Sequence, residues 1–242
     1  MTPAARLQAA IDILEALERS DQPLDRLVRD WFRARRFAGA KDRAAIAERV
    51  FGVQRRRASL AWRMRSEAPR ALVIASLLND GDAPETFFTG EGYGPPPLSD
   101  GERASIAEAP AGEAPLHVRG EFPAFLEAEL TRAFDADLLA ETLALQARAP
   151  IDLRVNALRR ERSEVLAALK ARDFLAEPTP YSPLGIRIPS GAGASDLGRS
   201  AMFESGAFEF QDEAAQIASL LCAAKPGERI LDLAAGAGGK SL

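Results

Sequence analysis

Ile230-Leu-Asp-Leu-Ala-Ala-Gly-Ala-Gly-Gly-Lys-Ser-Leu242 is the stretch that indicates the fold of the C-terminal part of the chain. Its first four residues form a short apolar run, which is typical of a buried parallel strand. Gly236, Gly238 and Gly239 follow, and glycine lets the backbone turn sharply and approach a ligand closely. A strand, a glycine turn and a helix are the first unit of a doubly wound sheet, which binds ligands at the carboxyl ends of its strands.

The spacing of this turn leaves its ligand open. The Gly-x-Gly-x-x-Gly dinucleotide pattern fails because Ser241 stands in the place of the third glycine. The end of a P-loop is matched by Gly239-Lys240-Ser241, but Ala234 replaces the first P-loop glycine. An acidic residue at the end of the strand, Asp232, followed by small residues fits a turn that binds S-adenosylmethionine. A tight strand-to-helix connection without a ligand explains the same residues.

The chain has 242 residues, enough for one large domain or for two to three small ones. Because one strand cannot make a sheet, we expect the sequence to be a fragment of a longer protein rather than one that receives strands from elsewhere.

Composition narrows the class of protein. The chain is 47% hydrophobic and 27% charged, which is typical of a globular protein. We expect no membrane partner, because no apolar run approaches the ~18 residues that a membrane span needs. Asp12 and Glu15 in the N-terminal helical pattern argue against a signal or transit peptide. The single cysteine, Cys222, excludes an internal disulfide and a cysteine zinc cluster, so we expect a cytoplasmic protein without a metal site.

The chain has a net charge of −4, but its positive and negative charges are distributed unevenly along the sequence. Residues 26–70 contain 14 Lys/Arg and 4 Asp/Glu, which is a net charge of +10. The remaining residues contain 17 Lys/Arg and 31 Asp/Glu, which is a net charge of −14. A basic domain on an otherwise acidic chain indicates a localised site for a polyanion.

The N-terminal third is predicted to be a small all-helical domain. Apolar residues at three- and four-residue spacing predict helices over residues 3–19, 24–37, 41–57, 60–65 and 71–78. Gly39 is interpreted as the stop of the second helix, and Trp31 as a core residue.

Basic side chains on these helices are candidates for phosphate contacts, because neutralising phosphates releases condensed counterions and drives binding. The alternative for Arg55-Arg-Arg57 is a solvated helix end, where arginine is favourable at the C-terminal dipole. The candidate set consists of Arg33, Arg35, Arg36, Lys41, Arg43, Arg55, Arg56 and Arg57.

Six glycines and six prolines between Gly81 and Pro115 predict a break between packed units, with one short helix near residues 100–108. His117, the only histidine, has no cysteine, serine or carboxylate constellation around it and is interpreted as a surface or packing residue.

The second half of the chain mixes helices and strands. Helices are predicted from Phe122, over residues 138–149, over residues 163–171 with Ser163 as N-cap, and over residues 210–221 with Asp212 near the start. A strand is predicted over residues 151–156, and strand-rich stretches over residues 181–189 and 201–210, as a βαβ-like piece. Cys222 is interpreted as a buried hydrophobic residue and not as a nucleophile.

Four motifs in order resemble one family. Its cofactor turn typically reads LDLCAAPGGKTT, and here Leu231-Asp-Leu-Ala-Ala-Gly-Ala-Gly-Gly-Lys-Ser-Leu242 stands in its place. The other three are Pro123-Ala-Phe-Leu126, Leu153-Arg-Val-Asn156 and Gln211-Asp-Glu-Ala-Ala-Gln216. Together they cover roughly residues 121–242 and resemble the RsmB/Sun (NOP-type) family of S-adenosylmethionine-dependent RNA 5-methylcytosine methyltransferases. The arginine-rich N-terminus resembles the NusB-like RNA-binding module of some members.

The chain departs from the family at several positions. Ala237 replaces the family proline, Ala234 the turn cysteine and Ser241 the following threonine. The family uses two cysteines beyond the turn: one attacks C6 of the cytosine, and the other helps to release the product. Cys222 matches neither, so the resemblance implies that catalytic residues are expected beyond Leu242 and that this chain alone is inactive.

The resemblance implies a multi-domain fold. An all-α NusB-like domain is expected over residues 1–80, a Gly/Pro-rich linker over 81–120, a small α+β (RRM-like) RNA-binding subdomain over 121–205, and the start of an α/β Rossmann-type methyltransferase domain over 206–242. Its cofactor is S-adenosylmethionine, its partner is RNA, with ribosomal RNA favoured, and a monomer is expected.

Site residues carried over from the resemblance fall into two groups. The cofactor would be lined by Ala234, Ala235, Gly236, Ala237, Gly238, Gly239 and Lys240. RNA would be bound by Arg35, Arg36, Lys41, Arg43, Arg55, Arg56, Arg57, Arg154 and Asn156. Two rivals stay open: an RNA-binding module without chemistry, and a P-loop NTPase.

Overall fold

The computed structural model describes residues 1–108, 110–189 and 194–241, without the side chains of Ala194 and Ser195. Leu242, the last residue of the predicted strand–turn–helix unit, lies outside this range. The chain divides into two compact units, Met1–Ala147 and Arg148–Leu242. The predicted domain limits at residues 80, 120 and 205 stay predictions.

The first unit is helical. Its helices are α1 (Pro3–Glu18), α2 (Leu24–Ala34), α3 (Ala40–Arg55), α4 (Arg57–Met64), α5 (Pro69–Asn79), α6 (Asp100–Ala107), α7 (Leu116–Arg119), α8 (Glu127–Phe134) and α9 (Leu138–Gln146). Short 3₁₀ turns cover Pro84–Thr86, Ala124–Leu126 and Asp135–Asp137. The apolar stripes of α1, α3, α4 and α5 form one core, in which Leu14, Ile46, Val50, Leu60 and Leu72 are almost completely buried.

The predicted helices are present, but several of their ends differ. The second helix ends at Ala34 and not at residue 37, and Gly39 is the N-cap of α3 and not a helix stop. The predicted continuous helix over residues 41–57 breaks at Arg56, whose φ of −123° is not helical. Sequence periodicity locates a helix better than it locates the residue at which the helix ends.

Arginine side chains fasten the Gly/Pro-rich segment after α5 to the helices. Arg70 donates from Nε to Glu102 at 2.7 Å, and from Nη2 to the Pro96 carbonyl at 2.9 Å. Arg63 donates to the carbonyls of Ser105 at 2.9 Å and Ile106 at 2.8 Å. The short helix predicted near residues 100–108 is confirmed as α6, which begins with a capping box between Ser99 and Glu102.

A small antiparallel sheet organises the second unit. Its strands are β1 (Ile151–Val155), β2 (Glu177–Pro178), β3 (Gly185–Ile188) and β4 (Phe208–Phe210), in the order β2-β3-β1-β4. β1 and β2 both run antiparallel to β3, so they are the parallel strands of a split βαβ arrangement with β3 inserted between them, and β2 lies outside the strand stretches that the sequence predicts. Leu153, Ile186, Leu169 and Phe208 form the core beneath it.

Its helices are α10 (Arg162–Lys170), α11 (Ala194–Leu197), α12 (Ala201–Glu204) and α13 (Glu213–Leu221). The prediction of Ser163 as N-cap was wrong, because Glu161 caps α10 and forms a capping box with Glu164. The stretch 201–210, predicted to be strand-rich, contains the helix α12 before β4. Asp212 does cap α13, accepting from Ala214 N at 2.8 Å.

The predicted strand Ile230–Leu233 was wrong for the described chain. These residues have no regular secondary structure, and Ile230, Leu231 and Leu233 are 64%, 79% and 91% exposed. A parallel strand is stable when neighbours cover both of its faces and pair its backbone, and the described residues supply no such neighbour. Cys222 was also predicted wrongly: it is exposed at the end of α13.

None of the helices in the described ranges is long and apolar enough to cross a membrane. Within the same ranges, no three His, Cys, Asp or Glu side chains lie together in a way that could hold a metal ion.

Candidate cofactor turn and nucleic-acid interface

The candidate cofactor turn is a loop closed by the carboxylate of Asp232. Its Oδ1 accepts from Ala234 N at 3.1 Å, and its Oδ2 accepts from Ser241 Oγ at 2.9 Å. Gly236 and Gly238 have φ of +55° and +83°, a region that a side chain would strain. The turn therefore depends on glycine at two positions, and both oxygens of its carboxylate are already engaged.

One carbonyl fixes this turn to the preceding sheet. Gly239 O accepts from Arg154 Nη1 at 3.2 Å and also from the side-chain Nε2 of Gln211. Arg154 lies on β1, and Gln211 follows β4 directly. The motifs that contain Arg154 and Gln211 therefore both contact the third motif, the glycine turn, at one carbonyl oxygen.

A buried ionic cluster holds β1, β3 and α13 together. Arg187 donates from Nε to Asp152 Oδ1 at 2.8 Å and from Nη2 to Oδ2 at 2.7 Å. Asp152 Oδ2 also accepts from Glu213 N at 3.1 Å. Glu213 Oε1 accepts from the backbone N–H groups of Tyr181 at 2.7 Å and Ser182 at 2.8 Å. The cluster fixes the start of α13. It thereby also positions Gln211, which lies just before α13 and contacts Gly239 O.

Burial and hydrogen bonds act in opposite directions on the carboxyl groups of this cluster. Burial raises the pKa of Asp152, but the hydrogen bonds from Arg187 and from Glu213 N outweigh it and leave the pKa below its ordinary value. For Glu213, burial again raises the pKa, and the N–H groups of Ser182 and Tyr181 lower it below the ordinary value. Both groups are therefore ionised in the folded protein at neutral pH.

The predicted RNA-binding side chains on the helical unit have different environments. Arg35 lies 4.2 Å from the Trp31 ring centroid, and Arg43 donates from Nε to the Ala38 carbonyl at 2.7 Å. Arg55 pairs with Glu48 at 3.1 Å. Arg57 pairs with Glu18 at 3.3 Å and with Glu67 at 3.7 Å.

Three cations of the set have no ion pair, side-chain hydrogen bond or aromatic ring contact with any described residue. They are Arg36, Lys41 and Arg56. Arg36 and Lys41 are exposed and Arg56 is half-buried. A cation without a carboxylate partner breaks no ion pair when it contacts a phosphate, so these three are the stronger candidates for RNA contact.

The two predicted RNA contacts on the sheet unit have intramolecular partners. Arg154 holds Gly239 O, as described above. Asn156 donates from Nδ2 to the Gly206 carbonyl at 3.1 Å and accepts from Leu158 N at 3.1 Å. Asn156 therefore fixes the turn that follows β1.

An aromatic groove on the helical unit was missed at the sequence level. A cavity of about 910 Å³ is lined by Trp31, Arg35, Phe37 and Tyr93, with Asp12 and Glu91. Phe37 is 72% exposed and Tyr93 is 89% exposed. Trp31 is half-buried and packs against the core, as predicted, while Arg35 covers its ring. The exposed Phe37 directly after Arg35-Arg36 was the available sequence signal, since aromatic and basic residues alternate in many RNA-binding surfaces.

The second unit has the fold of a split βαβ domain, and a comparison with known protein families finds a domain of the same type. Residues 122–194 match the family described as Methyltr_RsmF/B-like, ferredoxin-like domain. This part of the chain is thus similar to RsmF/B-like methyltransferases, and the predicted resemblance to the RsmB/Sun family is confirmed.

Two relatives in other organisms share one protein name. Ribosomal RNA small subunit methyltransferase B of Pseudomonas syringae pv. tomato is 34% identical over 124 residues, covering 51% of this chain and 27% of that protein. The protein of that name from Sodalis glossinidius is 33% identical over 144 residues, covering 60% of this chain and 30% of that protein. The chain therefore spans less than a third of the length of these relatives.

A solved structure shares the fold. The protein described as "Crystal Structure of PH0851" superimposes with a TM-score of 0.66 at 17% sequence identity, over 100% of this chain and 60% of that chain. At this identity the likeness concerns the fold alone.

Proposed function

We propose that this chain is the RNA-holding part of an S-adenosylmethionine-dependent rRNA cytosine-5 methyltransferase, together with the beginning of its cofactor site. The observation that carries the proposal is the attachment of the glycine turn to the ferredoxin-like sheet through Gly239 O, Arg154 and Gln211. A turn placed in this way joins a cofactor site to a domain matched by the RsmF/B family. The proposed cellular location is the cytoplasm and the proposed state is a monomer.

The residues of the turn fit S-adenosylmethionine in two respects. Gly236 and Gly238 provide backbone without side chains, and a Cβ at Gly238 would have no atom within 4 Å, so a ligand can approach there. The buried Oε1 of Gln211 is an acceptor that has no hydrogen-bond partner among the described residues. Ala234, Ala235, Gly236, Ala237, Gly238, Gly239 and Lys240 would line the cofactor, which supplies the methyl group when bound.

Each domain is proposed to have its own role, and the positions of the unpaired cations indicate which domain binds RNA. The NusB-like helical domain holds RNA through the unpaired cations Arg36, Lys41 and Arg56, with the aromatic groove beside Arg35 as a stacking surface for unpaired bases. The ferredoxin-like domain aligns RNA and the cofactor turn, and the Rossmann-type domain begins at about residue 206. The target base must be exposed, because chemistry on a base requires it to leave the stack.

The proposal is tested by methyl transfer. We expect the 242-residue chain to incorporate no methyl group from labelled S-adenosylmethionine into small-subunit rRNA, because its only cysteine lies at the exposed end of α13 and not at a ligand site. The same chain should bind the cofactor and the RNA. Methyl incorporation by this chain would contradict the assignment of the nucleophile to residues outside it, and absence of RNA binding would contradict the proposal itself.

A second candidate function is RNA binding without chemistry. It is favoured by the exposed, irregular Ile230–Leu233 segment, which leaves the doubly wound sheet unformed in the described chain. Equilibrium dialysis distinguishes the two functions: retention of S-adenosylmethionine supports the methyltransferase, and RNA binding without any cofactor binding supports the module.

The unpaired cations provide a specific prediction. Replacing Arg36, Lys41 and Arg56 together by alanine should weaken binding of single-stranded rRNA at least tenfold, because each phosphate contact contributes about −0.7 to the slope of log K against log salt. The slope should therefore become shallower by about 2. Fluorescence anisotropy over a KCl series measures both quantities.

The matched control removes the same amount of charge from paired arginines. Arg19, Arg26 and Arg29 form helix ion pairs with Glu15, Asp30 and Asp25, at 3.6, 4.0 and 2.9 Å. Their triple alanine variant should change the slope by less than half as much. An equal loss in both variants would show that net charge alone, and not these positions, determines binding.

A further inference from the structure

We propose that the side-chain oxygen of Gln211 is a ligand-binding group, which accepts a hydrogen bond from the α-ammonium of S-adenosylmethionine. This inference rests on the proposed function, since it concerns the same cofactor turn. It adds a residue outside the turn, and it names the part of the cofactor that this residue recognises.

The first observation is an unsatisfied acceptor at the turn. Gln211 is 9% exposed, and its Oε1 has no hydrogen-bond partner among the described residues. Its Nε2 donates to Gly239 O. Because both atoms belong to one amide, Oε1 necessarily lies beside the glycine turn. A buried acceptor left without a donor destabilises the fold, which is a reason to expect a ligand donor there.

The second observation is that the amide cannot relieve this cost by itself. Rotating it by 180° would place Oε1 against Gly239 O, so that two acceptors would face each other. The backbone of Gln211 is also fixed: its N donates to Asp152 O at 3.1 Å, and its O accepts from Gln216 Nε2 at 2.8 Å. Gln216 is in turn held by Ser182 Oγ at 2.6 Å. The orphan oxygen therefore keeps its direction.

The chemistry of the neighbouring groups selects the donor. Each oxygen of the Asp232 carboxylate already accepts one hydrogen bond within the described turn, from Ala234 N and from Ser241 Oγ. The unpartnered amide oxygen of Gln211 suits a cationic N–H donor, because a hydrogen bond to a charged partner is roughly twice as strong as a neutral one. The α-ammonium is the cofactor's primary ammonium and carries three such donors. The carboxylate of the cofactor, which only accepts, is excluded from this position.

The test compares S-adenosylmethionine with 5′-methylthioadenosine, which has the nucleoside and the sulfur but lacks the amino-acid part. Both are titrated into the 242-residue chain by calorimetry, with the wild type and with Gln211→Leu, which keeps a similar volume and removes the acceptor. We expect Gln211→Leu to weaken S-adenosylmethionine about tenfold or more, the loss of one charge-assisted hydrogen bond. Binding of 5′-methylthioadenosine should change less than twofold.

Gln211→Leu also removes the hydrogen bond to Gly239 O, so a second measurement uses the wild type alone. In ¹⁵N-labelled protein, the Gln211 side-chain resonances should shift with S-adenosylmethionine and stay in place with 5′-methylthioadenosine. Equal loss of both ligands in the variant, or equal shifts with both ligands in the wild type, would overturn the inference and leave the proposed function intact. Absence of any S-adenosylmethionine binding, with RNA binding retained, would overturn the inference together with the cofactor half of the proposed function.

Discussion

Replacing Asp152 by asparagine is expected to destabilise the unit Arg148–Leu242 by about 3 kcal/mol, the lower end of the range for breaking a buried ion pair, because the Arg187 side chain is 31% exposed. The Asp152 side chain is 3% exposed and receives two hydrogen bonds from Arg187 and one from Glu213 N. Asparagine has one acceptor oxygen fewer, and it leaves the guanidinium without a countercharge. Urea unfolding followed by circular dichroism measures the change.

Asp173→Asn is the isosteric control in the same unit. Asp173 is exposed, and its φ of +61° is a conformation that asparagine accepts as well as aspartate does. Its substitution should change the free energy of unfolding by less than about 0.5 kcal/mol. If Asp152→Asn costs no more than this control, the cluster does not hold the unit together.

Acid should destabilise the same unit. The pKa values of Asp152 and Glu213 are below their ordinary values in the folded protein, so the unfolded chain takes up protons first as the pH falls. The stabilisation is complete above the ordinary carboxyl pKa of about 4, and it is lost as the pH falls through the lower folded values. Unfolding midpoints between pH 7 and pH 3 should fall for the wild type and change less for Asp152→Asn. Equal pH profiles would contradict the assignment.

Replacing Gly185 by alanine is the second large effect, and we expect a loss of about 3 kcal/mol, at the upper end for overpacking a core. A Cβ at Gly185 would overlap Thr179 Oγ1 and would lie 2.9 Å from both Thr179 Cβ and Cγ2. Thr179 is 5% exposed and its N donates to Gly185 O at 3.1 Å, so it cannot move aside without breaking the β2–β3 pair. Thermal unfolding of the variant measures the loss.

The clash can be tested by a double-mutant cycle. Thr179→Ala removes Oγ1 and Cγ2, so the variant Gly185→Ala/Thr179→Ala should recover part of the lost stability relative to Gly185→Ala alone. Gly101→Ala is the external control: a Cβ there would meet no atom within 4 Å, and the change should stay within about 1 kcal/mol of zero. Additive losses in the cycle would show that Thr179 is not the cause.

Local sequence signals predicted the elements whose determinants are local. The helix α1 and the helix α13 with its Asp212 cap were predicted from periodicity and capping residues, and the structure confirms both. Ser163 failed as N-cap because Glu161, two residues earlier, caps the helix and forms a reciprocal capping box with Glu164. The split arrangement of β1 and β2 could not be predicted, since strand order depends on contacts between residues far apart in sequence.

The contacts of the candidate site residues could not be predicted, because they too join residues that are far apart in sequence. A sequence gives the number of arginines but not their partners, so the net charge of +10 over residues 26–70 included Arg63 and Arg70, which hold backbone carbonyls and Glu102. The RNA contact of Arg154 stays a prediction, and the hydrogen bond that Arg154 donates to Gly239 O joins residues too far apart in sequence for a local pattern to indicate it. Burial of Cys222 and pairing of Ile230–Leu233 both require neighbours that the apolar pattern alone does not supply.

The proposed binding of ribosomal RNA through a small number of phosphate contacts is tested most directly by the salt dependence of binding to a single-stranded fragment of small-subunit rRNA. With three or more contacts at about −0.7 each, log K should fall with log salt with a slope of −2 or steeper. Anisotropy between 50 and 300 mM KCl would give this slope. A flat profile, or no binding at the lowest salt concentration, would contradict the claim.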